Sequence, residues 1–142
     1  MGTRLKIFSF LLVMALCLGV FSLPASAGNT DWTVTFGPHA RYEEVVYGNG
    51  MFVAVGDGLI VSSADGKKWT VEHSVAKDWP VAVAWSGSMF VAVGMDGMIL
   101  TSHDGKEWTE RNVDASLYAV VWGNNQFMAV GRGGRYLLRL TV

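Results

Sequence analysis

Four aspartates in the chain stand directly before glycine: Asp57, Asp65, Asp96 and Asp104. Oxygen-rich turns invite a hard cation, which wants roughly six or more oxygens converging on it. Each of these aspartates stands alone in its turn, so no local spacing supplies such a set. His39, His73 and His103 are scattered through the chain, a pattern of surface residues rather than of metal ligands. Arg41, Tyr42, Glu43 and Glu44 place a base, a phenol and two acids side by side. Neighbours on a strand point to opposite faces, so that run reads as the first strand of a unit and not as one site. The chain carries no Gly-x-Ser-x-Gly elbow, His-Glu-x-x-His, Cys-x-x-Cys or phosphate-cradling Gly-x-x-x-x-Gly-Lys,. The expectation is a protein with no catalytic residues, no cofactor and no metal.

Two of the aspartates belong to a phrase written twice, SSADGKKWT at 62–70 and TSHDGKEWT at 101–109. An aspartate in such a turn accepts hydrogen bonds from backbone amides, and the glycine takes positive φ without steric cost. The serine can bond the same backbone, and the indole returns along the next strand to cover the hairpin. Ser63, Asp65, Gly66 and Trp69, and again Ser102, Asp104, Gly105 and Trp108, are therefore expected to staple hairpins rather than meet a ligand.

The phrase is part of a longer unit. VVYGNGMFVAVGDG from Val45 returns as VAWSGSMFVAVGMDG from Val83 and as VVWGNNQFMAVGRGG from Val120. Phe52, Phe90 and Phe127 recur at one place in it, as do Gly56, Gly94 and Gly131, a period close to the roughly 40 residues of a propeller blade. The second copy has one extra residue in its Gly-Met-Asp-Gly turn. Short β-branched runs separated by Asn-Gly, Asp-Gly and Asn-Asn pairs predict strands over 44–47, 51–55, 59–63 and 68–73 in the first unit. No stretch of the chain after the leader shows a capped helical stripe. Up to four short antiparallel strands per unit describe a blade, so the fold class expected is an all-β, β-propeller-like repeat of four-stranded blades, incomplete at two and a half to three. The expected divisions are 28–41 as an N-terminal segment or partial blade, 42–79 and 80–116 as full blades, and 117–142 as an incomplete or frameshifted third. Tyr47, Trp85 and Trp122 share one position and are expected to pack between blades.

Ser-x-Asp-Gly-x-x-Trp after FVAVG resembles the Asp-box (BNR-like) repeats of secreted bacterial β-propellers, with one residue fewer between aspartate and glycine than usual. The units also resemble those of propellers related to the photosystem II assembly factors. The resemblance covers residue 42 to about 134. It implies architecture more than activity, because such units occur in hydrolases and in binding scaffolds alike. Sialidases of this kind use an arginine cluster, a tyrosine nucleophile and acidic partners, a set that cannot be placed here. The function expected is an exported binding or scaffold module recognising a protein or a glycan. The alternatives are a truncated sialidase-like glycoside hydrolase and a non-functional gene remnant.

Export is read from the N-terminus. Arg4 and Lys6 precede the apolar run 7–21, and Ala25 and Ala27 form a small-residue exit, so residues 1–27 read as a signal peptide that leaves no stable membrane span,. The single cysteine, Cys17, falls within it. The expected location is outside the cell or in the bacterial envelope. With 11 basic against 12 acidic residues and no basic cluster, a nucleic-acid partner is not expected,. Trp32 and Trp79 lie outside the repeat pattern and are the aromatics that could meet a sugar or a peptide. After Gly134 the text reads RYLLRLTV where another SxDGxxW is due, which reads as an out-of-register tail. Codons for Leu140-Thr141-Val142, shifted by one nucleotide, can spell Ser-Asp-Gly. Unpaired blade edges would favour self-association.

Overall fold

Two-residue hairpins need left-handed backbone, and the small polar residues supply it. The φ angle is 48° at Asn49 and 76° at Gly50, 42° at Asp57 and 72° at Gly58, and 49° and 55° at Asn124 and Asn125. In a computed structural model that describes residues 37–75, 79–132 and 137–140, these turns cut the chain into eleven strands. The expected leader, Trp32 and the rest of 28–36 lie outside the described residues.

The strands form three antiparallel sheets. The first is β1 (Glu44–Gly48), β2 (Met51–Gly56), β3 (Leu59–Ser63) and β4 (Thr70–Ser74), paired in chain order. The second repeats it with β5 (Pro80–Trp85), β6 (Phe90–Gly94), β7 (Met98–Ser102) and β8 (Thr109–Asn112). In the third, β10 (Gln126–Gly131) lies between β9 (Leu117–Gly123) and β11 (Leu137–Leu140). β4 starts later than the expected residue 68 because the amides of Lys67 and Lys68 are held by Asp65. The extra residue of the second unit is absorbed in a single 3-10 turn, Met95–Gly97, with Asp96 at φ 55° and Gly97 at φ 83°.

The C-terminal run differs from its reading as an out-of-register tail. Leu140 pairs with Phe127 and Leu137 with Val130, as Ser63 pairs with Phe52 and Ile60 with Val55. β11 thus holds the register of the third strand of a blade. The repeat motif is lost from its side chains, but hydrogen bonding to β10 needs only an extended backbone.

First strands of neighbouring sheets pack beside one another, β1 against β5 and β5 against β9, whereas the fourth strands have no comparable contact. The sheets fan outward from these inner strands, which is the wedge geometry of propeller blades. Period-two alternation then buries both faces of the middle sheet. Val83, Phe90, Ala92, Met98 and Leu100 meet Val53, Val55 and Ile60 of the first sheet. Ala82, Ala84, Val91 and Val93 meet Leu117, Val120, Phe127 and Ala129 of the third. Trp85 packs in the first of these layers at 4.2 Å from Phe90, and Trp122 in the second at 4.6 Å from Phe127. Gly48 admits the Trp85 ring, which a Cβ there would meet at 2.5 Å. Tyr47 departs from the expected packing between blades and is 58% exposed, since no described sheet precedes the first. No helix among the described residues is long and apolar enough to cross a membrane.

Candidate functional site

The repeated phrase makes the same turn twice. Asp65 Oδ1 accepts from the amides of Lys67 and Lys68 at 2.8 and 2.9 Å, and Ser63 Oγ accepts from Gly66 N at 2.9 Å. In the second copy Asp104 Oδ1 accepts from Lys106 and Glu107 at 2.9 Å each, and Ser102 Oγ accepts from Gly105 N at 2.8 Å. Each serine hydroxyl also donates to its aspartate. The amide of Lys68, then that of Lys67, holds the Asp65 carboxyl below the usual carboxylate range; Lys106 and Glu107 do so for Asp104. Trp108 Nε1 donates to Gly105 O at 3.2 Å, and its ring lies 6.2 Å from Phe90. Trp69 lines a hollow on the outer face of the first sheet. In both turns the bonding carboxylate oxygen is engaged by the turn's own amides.

Other candidates do not converge. His39 is exposed, His103 Nδ1 lies 3.0 Å from the Ser88 carbonyl, and His73 sits on β4 with Nε2 buried and unpartnered among the described residues. Among those residues no three of His, Cys, Asp and Glu gather as metal ligands would. A hollow of about 400 Å³ beside β7 and β8 includes Ser102 and Asp104, the two side chains the turn already employs, with His103, Glu107 and Arg111.

A better constellation sits at the end of the sheets carrying the β2–β3, β6–β7 and β4–β5 connections. There each chain segment enters its innermost strand beside a glycine. A Cβ on Gly56, Gly94 or Gly131 would stand 2.1, 2.2 or 1.9 Å from the carbonyl oxygen of Arg41, Trp79 or Ser116 respectively. Those three residues occupy one equivalent place, and it is a place where the repeat keeps the backbone and varies the side chain. Met95 N donates to Trp79 O at 3.2 Å and Arg132 N to Ser116 O at 3.1 Å. In the first blade the carboxylate of Asp57 instead accepts from Arg41 N at 2.7 Å. The side chains differ in kind. Arg41 is paired with Glu43 at 3.0 Å yet mostly exposed, Trp79 is 54% exposed, and Met95 beside it is 37% exposed. Ser116 Oγ accepts from Asp96 N at 3.3 Å. Tyr42 next to Arg41 donates to Pro38 O at 3.1 Å, and burial followed by the nearby Asp57 charge raises its phenol above the ordinary value.

Along this end of the sheets, the inner rim, stand Trp79 and Met95 on the second sheet and the exposed Arg41 and Arg132 on the first and third. Of the two tryptophans that sequence singles out, Trp79 is on this rim and Trp32 lies outside the described residues. Met95, Ser116 and Arg132 were not legible as its neighbours. The signal that could have found them is the alignment of 41, 79 and 116 as one repeat position filled by three unlike residues.

Three such sheets, fanning from inner strands, define the chain as an array of β-propeller-type blades. Solved structures agree. The chain is similar to YCF48 bound to a D1 peptide, with TM-score 0.56 and 17% identity over 65% of this chain and 34% of that one. It is likewise similar to YCF48 from Cyanidioschyzon merolae, with TM-score 0.54 and 20% identity over 67% of this chain and 32% of that one. The chain thus spans about a third of the length of either structure. No family model and no curated protein matches it.

Proposed function

We propose that the chain is an exported binding module, without catalysis of its own, that captures an extended peptide of a partner protein on the inner rim. The observation that carries this reading is the 54% exposure of Trp79, whose carbonyl lies against Gly94 and accepts from the Met95 amide. An exposed indole offers a large apolar face and only two side-chain torsions to order, as anchoring aromatics do at interfaces. Met95 follows Gly94 with its amide on Trp79 O, and the exposed Arg41 and Arg132 at the same end of the first and third sheets offer donors for peptide carbonyls or carboxylates,. The likeness to a YCF48 structure bound to a D1 peptide supports the same use of the scaffold.

Selection from a displayed random-peptide library tests this. Wild-type protein is expected to enrich peptides with an aromatic or aliphatic anchor, and Trp79→Ala to weaken their binding by at least about tenfold, the usual cost of removing an interface anchor. Equal binding by wild type and Trp79→Ala would remove the rim from consideration. Retention of oligosaccharides with no peptide enriched would move the reading to a glycan, and sugar release from a glycoside would make the protein a hydrolase.

A further inference from the structure

The two outward faces of the three-sheet array are copies of faces that are already paired inside it. Val45 is 56% exposed, whereas the residues at its repeat position in the next two blades, Val83 and Val120, are 3% and 5% exposed. Phe52 is 36% exposed, against 0% for Phe90 and 1% for Phe127. These positions, with Tyr47, make up the entry face of the first sheet. On the exit face of the third sheet the relation holds again. Val130 is 44% exposed, against 0% for Val55 and 1% for Val93. Val121 and Met128 share this exit face, at the positions of Val46 and Val53 in the first sheet.

The shapes correspond as well as the chemistry. An apolar hollow of about 230 Å³ on the entry face is lined by Val45, Ala54, Val61 and Trp69 together with Tyr42 and Gly37. The first four correspond to Val83, Ala92, Leu100 and Trp108, the surface on which Val53 and Val55 pack inside the chain. On the exit face the residues at the Val53 and Val55 positions are Met128 and Val130. The exit face therefore carries side chains of the right kind and spacing to fill the hollow.

From this we propose that the chain binds a second copy of itself head to tail, with Val121, Met128 and Val130 of one molecule seated on Val45, Tyr47 and Phe52 of the other. The contact continues the internal blade–blade interface across a molecular boundary, so the sheet faces hold it and the strand edges do not. A head-to-tail contact either closes into a ring or propagates. The described residues of two copies bring six sheets, within the range of roughly four to eight blades at which propellers close,. The inference stands apart from the peptide reading of the rim, since none of the six residues belongs to it.

Sedimentation of the full chain over a concentration series tests it, with Tyr47→Glu and Val130→Glu as variants. Both positions are exposed, so each variant is expected to keep the wild-type β-sheet circular dichroism. Wild type is expected to sediment at the mass of two copies and each variant alone as a monomer. The decisive sample is the mixture. A Tyr47→Glu molecule keeps its exit face and a Val130→Glu molecule keeps its entry face, so the two together are expected to recover a pair with one intact junction. A monomeric wild type overturns the proposal. So does association that survives in either single variant, or a mixture that stays monomeric.

Discussion

Asp65 and Asp104 make a pH-dependent contribution whose sign is set by their turns. In the folded chain each carboxylate accepts two amide hydrogen bonds that favour the charged form, so its folded value lies below its unfolded one,. Such a group stabilises the fold fully above the unfolded value, about 3.9 for aspartate, and that stabilisation is lost as pH falls through the folded value. Asp104→Asn keeps an oxygen in place but removes the charge. Its Tm is expected to lie below that of wild type at neutral pH, with the gap closing as both are unfolded at successively lower pH below about 4. A gap of constant size down to the acid limit would show that the charge contributes nothing and that only the turn's shape matters.

At the scale of elements, much was readable and the failures have identifiable causes. Asn-Gly and Asp-Gly pairs announced the hairpins, because few other residues adopt positive φ cheaply, and the short β-branched runs between them announced the strands. The third strand of the last sheet was missed, because RYLLRLTV keeps none of the repeat's serines while still offering an extended backbone to β10. The rim was only half visible. Trp79 stood out as an aromatic outside the pattern, but its neighbours come from different turns and are joined only by folding. The glycines Gly56, Gly94 and Gly131 were legible as a period and not as a cause, which is the approach of the incoming strand's carbonyl. Gly94→Ala puts a methyl 2.2 Å from Trp79 O and 2.6 Å from Met98 Cε. It is expected to destabilise the chain by about 1–3 kcal/mol, as overpacking does. It is also expected to shift Trp79 fluorescence, since the linker must move away from β6. Denaturant unfolding monitored by tryptophan emission checks both, and an unchanged midpoint would mean that the linker yields freely.

Across the whole molecule, stability in a blade array is close to a sum of sheet and interface terms, so a sheet with two neighbours should outlast sheets with one. Here the middle sheet is covered on both faces. Every residue of β6 is buried, and the residues of β8, the outermost strand of the same sheet, are all exposed. Amide hydrogens of β6 can exchange only when both flanking interfaces open, which approaches global unfolding, whereas β8 needs only local fraying. Native-state hydrogen exchange is therefore expected to grade protection from β6 outward along each sheet, and from the second sheet toward the first and third. The same measurement responds to self-association. At concentrations where copies pair head to tail, β2 and β10 are expected to gain protection while β6 stays unchanged, because only the outer faces acquire a neighbour. Phe90→Ala removes a ring with no exposed surface from between the first two sheets, at a cost of about 3–5 kcal/mol. It is expected to release the first sheet's amides ahead of those in β9 and β10. Loss of protection everywhere at once, with the same free energy in all three sheets, would instead make the array a single cooperative core in which no face can act alone.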